Sequence, residues 1–209
     1  MFMKAILCKE IITVTNDRIQ NGHIIIENDK IKSIGQGFDV PSDCKIIDAK
    51  NFVAFPGIVD AHCHATIFEE EIGLELQDGN EMTDPITPQI RVLDAINPME
   101  KGVRRAISGG VTCVCIAPGS ANVVGGQMTT IKTHGKIVDN MIITEKAGMK
   151  CAFGENPKRV YGNQKKMPST RMGNLGLFRQ LMVETQNYMK KWEEYEEKRE
   201  EYEKSKNSD

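Results

Sequence analysis

The segment FPGIVDAHCHA, residues 55–65, sets Asp60, His62 and His64 at the end of a short apolar run opened by Pro56-Gly57. Residues two apart on a strand project to the same side, so the two imidazoles point together and Cys63 points away. Paired imidazoles at a strand end can take one divalent cation, at Zn–N distances of about 2 Å. Asp60 lies two residues back on the same side, where it could orient a ligand or simply be solvated. Three polar side chains are costly at a buried strand end unless something there needs them, which favours a metal site over two ordinary histidines.

The elements around this segment must position it. Residues 1–55 read as short strands. GHIIIENDKIKSIG predicts a hairpin with strands His23–Glu27 and Lys30–Ile34, because Asn28-Asp29 tolerates the positive φ of a tight turn. KIIDAKNFVAFPG predicts two further strands around Ala49-Lys50-Asn51. From Pro56 the rhythm becomes strand, loop, helix. Ile58–Ala61 reads as a strand covered on both faces. Residues 66–96 form a long excursion with acids at 69, 70, 71, 75, 78, 81, 84 and 94, read equally as an active-site lid or a solvated surface. Asn97-Pro98-Met99-Glu100 predicts a helix with Asn97 as its N-cap, and Gly109-Gly110 ends it. VTCVCIA is a buried strand, followed by the loop PGSANVVGGQ. MKCAF is another strand, followed by the loop GENPKRVYGNQKKMPSTRMG. This order, with elaborate loops after strand ends, predicts an α/β fold with a parallel barrel. The last 35 residues predict a helix whose apolar stripe (Phe178, Leu181, Met182, Met189, Trp192) dies out. Thirteen of the seventeen residues 190–206 are charged, which suits a solvated linker or tail.

Composition narrows the classes. The 209 residues are 40% apolar and 27% charged, with a net charge of −2, so neither a nucleic-acid footprint nor an anionic-membrane surface is expected. No run of about 18 apolar residues exists, and MFMKAILCKE has no signal-peptide core. Six cysteines without CxxC pairs read as reduced, mostly buried thiols of a cytoplasmic protein. Cys113 and Cys115 share one strand face and read as core packing.

FPGIVDAHCHA resembles the opening strand of the amidohydrolase superfamily, an apolar P-G-hydrophobic-hydrophobic-D-x-H-x-H. The preceding hairpins resemble that superfamily's small β domain, and GGVTCVCIAPGS its second barrel strand and loop. TDPITPQIRVLDAINP, PGSANVVGGQ and AFGENPKRVYG are similar to an imidazolonepropionase-like subgroup. The resemblance covers about residues 3–185. It implies a small β domain (1–55, part of a composite β-sandwich), the first part of a metal-dependent (β/α)8 TIM-like barrel (56–189) and a charged helical linker or tail (190–209). It also implies that metal-activated water hydrolyses C–N bonds of cyclic amides, small amides or dipeptides.

The resemblance further implies roles for particular residues. His62 and His64 match the first two metal ligands. The third is a carboxylate, for which Glu155 is the best match and a carboxylated Lys150 or Lys158 the fallback. The cation is Zn, with Mn, Fe or Co also compatible with such ligands. Asn122 and Gln127, in the loop after the second strand, and Arg159 or Arg171 are candidates to contact a small-molecule amide substrate.

The match is incomplete. The family continues with two more histidines and a general-base aspartate on later strands. This sequence has histidines only at 23, 62, 64 and 134, with His23 and His134 reading as structural. A whole barrel takes about 250 residues, so the chain resembles an N-terminal half with no identifiable general base, inactive by itself. The alternatives are a non-catalytic scaffold keeping half the fold, or one chain of a two-chain enzyme. Exposed barrel edges would favour homo-oligomers or other association.

Overall fold

The computed structural model describes residues 3–70, 73 and 77–206, which leaves the acids at 71 and 75 outside the described residues. The chain divides into two compact units, Met1–Ile58 and Val59–Asp209.

The first unit holds a four-stranded sheet of order β3-β2-β1-β4, from β1 (Met3–Ile11), β2 (Ile19–Glu27), β3 (Lys30–Gln36) and β4 (Lys45–Ala54). The β2–β3 turn is the expected one, with φ of 50° at Asn28 and 60° at Asp29. Residues 45–54 form one strand rather than two. Their parallel pairing with β1 shifts register between Cys8 and Glu10, so an irregularity absorbs the polar Lys50-Asn51 step that suggested a break. Ala5, Leu7, Cys8, Ile11 and Ile25 are buried, whereas Ile46, Ile47, Phe52 and Val53 are exposed.

The second unit is built on a sheet of order β5-β6-β7-β8, from β5 (Ile58–Cys63), β6 (Val111–Ile116), β7 (Val124–Lys132) and β8 (Ile142–Cys151). Among the described residues three α-helices accompany it: α1 (Lys101–Ser108), α2 (Glu155–Asn163) and α3 (Arg171–Lys206). Ile67, Val92, Ile96, Val114, Ile116, Ile131 and Met141 form its core. The fold is mixed α/β, a small β domain followed by the opening elements of a barrel.

Several local expectations change. β5 is an edge strand, and Val59 is 64% exposed rather than covered on both faces. β7 pairs antiparallel with both β6 and β8, so the two strands after β6 are hairpin-connected rather than parallel βα units. Four of the ten residues assigned to the loop PGSANVVGGQ are strand, because Val124, Gly125 and Gly126 are buried in β7. Much of GENPKRVYG is helix: Pro157 falls in the first turn of α2, where its missing N–H costs nothing, and Tyr161 is buried beneath it. The N-cap of α1 is Glu100, not Asn97. The buried Glu100 carboxylate accepts from Gly102 N at 2.6 Å, while Asn97 Oδ1 accepts from Met99 N one turn earlier. Gly110, at φ 85°, ends the helix as expected. Only Cys8 is fully buried among the six thiols, all of them free.

The 66–96 excursion is pinned down along its described length. Thr87 N donates to Val124 O (2.9 Å), Gln127 N to Ile90 O (2.7 Å) and Ala121 N to Asn80 Oδ1 (2.9 Å). Three of its acids serve its own turns: Asp84 Oδ1 accepts from Ile86 N, Glu81 from Thr83, and Asp94 pairs with Arg91, while Glu69 and Glu70 reach out to Asn97 and Arg105.

Candidate metal centre

His62 and His64 lie at the C-terminal end of β5, where the edge strand meets β6. Their ring centroids are 5.0 Å apart at 78°, so they face one another edge to face. The backbone holds this end firmly. Ala117 N donates to Cys63 O at 3.0 Å, and His62 N donates to Asp60 Oδ1 at 3.1 Å. Asp60 therefore steadies the backbone rather than a ring. Phe68 packs edge-on against His64 at 5.6 Å.

The hydrogen bonds set the tautomers. His64 Nδ1 lies 2.8 Å from Ala117 O, a carbonyl that can only accept. The proton is thus on Nδ1 and the lone pair on Nε2, the state a metal ligand needs. Lys150 Nζ donates to His62 Nε2 at 3.1 Å, and burial lowers the Lys150 pKa from its ordinary value. Lys150 reaches this end because β8 runs antiparallel to β7, with Lys150 opposite Gly126.

The other expected residues fall elsewhere. Glu155 opens α2 with its side chain 85% exposed, and its carboxylate pairs with Lys158 at 2.7 Å rather than meeting the histidines. Among the described residues no three His, Cys, Asp or Glu side chains converge as a metal group. Of the fallback lysines, Lys150 lies beside His62 and Lys158 pairs with Glu155.

Asn122 is buried and fully engaged. Its Nδ2 donates to Glu81 O (2.7 Å) and Thr87 Oγ1 (2.9 Å), and its Oδ1 accepts from Tyr161 (2.8 Å). It locks the excursion to β7, leaving no polar atom free for a substrate. Gln127 donates from Nε2 to Pro88 O at 3.2 Å, but its buried Oε1 has no partner. Arg159 lies exposed on α2 beside Asn156, and Arg171 starts α3. His23 binds Gly37 O, in the structural role expected of it.

A cavity of about 600 Å³ lies between the excursion and the loop after β6. Asp78, Asn80, Arg91, Asp94, Ile67 and Pro118 line it, and Pro118 follows Ala117, the partner of His64.

Sequence reasoning ranked Lys150 below Glu155 and passed over Tyr161 and Phe68. The signal for Lys150 was its place: like His62, it is the penultimate residue of a strand that ends in cysteine. Nothing local marked Tyr161. It is fully buried, its hydroxyl donates to Asp84 O at 2.7 Å, and burial pushes its pKa up to about 12.

No family model matches the chain. The amidohydrolase tasK of Hapsidospora irregularis is 32% identical over 187 residues, covering 83% of this chain and 19% of its own length. A dihydroorotase of Caldicellulosiruptor saccharolyticus is 30% identical over 110 residues, covering 52% of this chain and 20% of itself. The crystal structure of an amidohydrolase from Thermotoga maritima matches with a TM-score of 0.86 at 44% identity, covering 90% of this chain and 49% of that one. The chain thus spans about a fifth of the length of these curated relatives and about half of that structure. With the P-G-I-V-D-A-H-C-H strand end in place and this likeness extending over nearly all of its residues, the chain belongs to the amidohydrolase superfamily.

Proposed function

We propose that these residues form the first half of a metal-dependent hydrolase of imidazolonepropionase-like type, acting on C–N bonds of cyclic amides or small amides. The observation that carries this reading is the pair His62 and His64, with His64 Nε2 left open by the Nδ1 bond to Ala117 O. This donor set suits a divalent cation, Zn or also Mn, Fe or Co. Such a cation would lower the pKa of a bound water and polarise the carbonyl to be cleaved.

The chain's own groups would prepare that chemistry. Ala117 O fixes the His64 ring, and Asp60 keeps the strand end from unwinding. Lys150 replaces Glu155 as the third ligand in this reading, since its nitrogen sits 3.1 Å from His62. Its neutral amine would form an N–C bond to carbon dioxide and release one proton, leaving a carbamate with the two oxygens that an amine lacks. A substrate would occupy the cavity beside Pro118. In this reading the partnerless Oε1 of Gln127 is an acceptor open to a substrate donor, and Arg159 on α2 a charge open to a substrate anion. The remaining histidines and the general-base aspartate would come from outside these residues.

The edges of the second sheet support the same reading. β5 and β8 are its two outer strands, and they expose Val59, Ile143 and Met149. Further strands would add there, in the same polypeptide or in a partner chain.

The test is metal analysis of the full-length protein together with turnover on a panel of cyclic amides and dipeptides. At least one divalent ion per chain and metal-dependent hydrolysis are expected. A metal-free protein that hydrolyses nothing after reconstitution would favour the scaffold reading.

A further inference from the structure

A second cavity lies at the far end of the β5–β8 sheet. Thr133 Oγ1 donates to Val111 O at 2.8 Å and Thr133 N donates to Thr112 O at 3.1 Å, which ties the segment after β7 to the start of β6. The histidines lie at the other end of β6, about 17 Å away at roughly 3.3 Å per residue.

This cavity, of about 440 Å³, is lined by Arg104, His134 and Lys136, with Met99, Val103 and Ile107 among its apolar residues and no carboxylate. None of the three basic side chains has an ion-pair or hydrogen-bond partner among the described residues. The surrounding sequence has the same bias. Residues 101–136 contain Lys101, Arg104, Arg105, Lys132 and Lys136 but no Asp or Glu, in a chain whose net charge is −2. The carboxylate just before this run, Glu100, is buried and turned to Gly102 N, and Asp139, the next acid along the chain, does not line the cavity.

Cations brought together without counter-charges repel one another, and an anion between them relieves that repulsion. A guanidinium and an ammonium suit carboxylate or phosphate oxygens. The wall from Val103 and Ile107 on α1 suits an apolar body beside the charged head, and the volume is in the range of small-ligand sites. We propose that this cavity binds a small organic anion, a carboxylate or phosphate monoester carrying an apolar group, at a site separate from the metal centre.

The test is titration calorimetry of the full-length protein at low salt with phenyl phosphate, benzoate and inorganic phosphate. Saturable one-site binding of phenyl phosphate or benzoate is expected, tighter than that of inorganic phosphate, and the stronger of the two identifies the head group. Arg104→Ala and Lys136→Ala, both at exposed positions, should each weaken binding about tenfold, the loss of one charge-assisted contact. Ile107→Ser should bring the aromatic ligands down to the level of inorganic phosphate. His62→Ala should leave the affinity unchanged. Absence of saturable binding, affinity untouched by the Arg104→Ala/Lys136→Ala pair, or binding abolished by His62→Ala would each overturn the proposal. Inorganic phosphate binding as tightly as phenyl phosphate would overturn the apolar half of it.

Discussion

The two ends of the second sheet are built from the same strands and treat charge in opposite ways. At the C-terminal end of β5 the polar groups engage one another: His64 bonds to Ala117 O, His62 meets Lys150, and Asp60 holds the His62 amide. At the other end Arg104, His134 and Lys136 surround a cavity with no partner of their own. Strand ends are where a sheet stops satisfying its own backbone and side chains can converge without breaking a ladder. The first end uses that freedom to set tautomers. The second collects one sign of charge, which the proposed anion would balance.

The largest effect that could break this contrast is at the histidines. In the full-length protein, His62→Ala or His64→Ala should remove bound metal and lower turnover by more than the roughly 100-fold seen for groups that only support ligands. Elemental analysis and steady-state kinetics would show it, and a variant that kept both metal and turnover would erase the distinction between the ends.

Next comes the backbone that carries Lys150 to the site. Gly126 has φ 119°, and a Cβ there would lie 2.5 Å from Ile90 O. Gly126→Ala should cost roughly 2 kcal/mol or more in urea unfolding, because strain and a backbone clash add. It should also weaken metal binding, since Gly126 pairs with Lys150. Lost stability with intact metal affinity would separate the fold from the site.

Tyr161 sharpens the comparison through stability alone. Its single hydroxyl proton is shared between Asp84 O and Asn122 Oδ1, so Tyr161→Phe leaves a buried acceptor unpaired and should cost about 1–2 kcal/mol. The pH dependence has a definite sign. Burial raises this phenol from 10 to about 12. Above pH 10 the unfolded chain therefore loses a proton that the folded chain keeps, and wild-type stability falls between pH 10 and 12. The phenylalanine variant should lack that component. Equal slopes in the two proteins would show that Tyr161 is not held as described.

The smallest expected effect is at Glu155. Because it is exposed and paired with Lys158, Glu155→Gln should leave metal content unchanged. Loss of metal would return Glu155 to the third-ligand role and displace Lys150.

How far the site was legible follows from the range of each signal. The hairpin turn at Asn28-Asp29 and the stop at Gly109-Gly110 depend on φ preferences of one or two residues, and both appear where the sequence places them. The side-by-side histidines follow from the two-residue period of a strand. The α1 cap was misread because Asn97 is the favoured capping type, with Glu100 spaced as its N3 partner. Burial of Glu100 beside Glu70 N, a contact across 30 positions, decided between them. Asn122, a candidate substrate contact in the sequence, bonds instead within the fold for a similar reason: its partners Glu81, Thr87 and Tyr161 are 35–41 positions away. The acids of the excursion read equally as a lid or a solvated surface, and the bonds of Glu81, Asp84 and Asp94 to nearby turns became visible only in the structure.

By itself, the sequence determined the strand end with its histidine pair, the class of fold and the superfamily, because these rest on local periodicity and a contiguous motif. Only the tertiary structure decided that Lys150 rather than Glu155 meets His62, that β7 and β8 turn back antiparallel, and that Arg104, His134 and Lys136 share one cavity. Those outcomes depend on which distant strands pair and in which register, and pairing is set by the burial of whole faces rather than by any one segment.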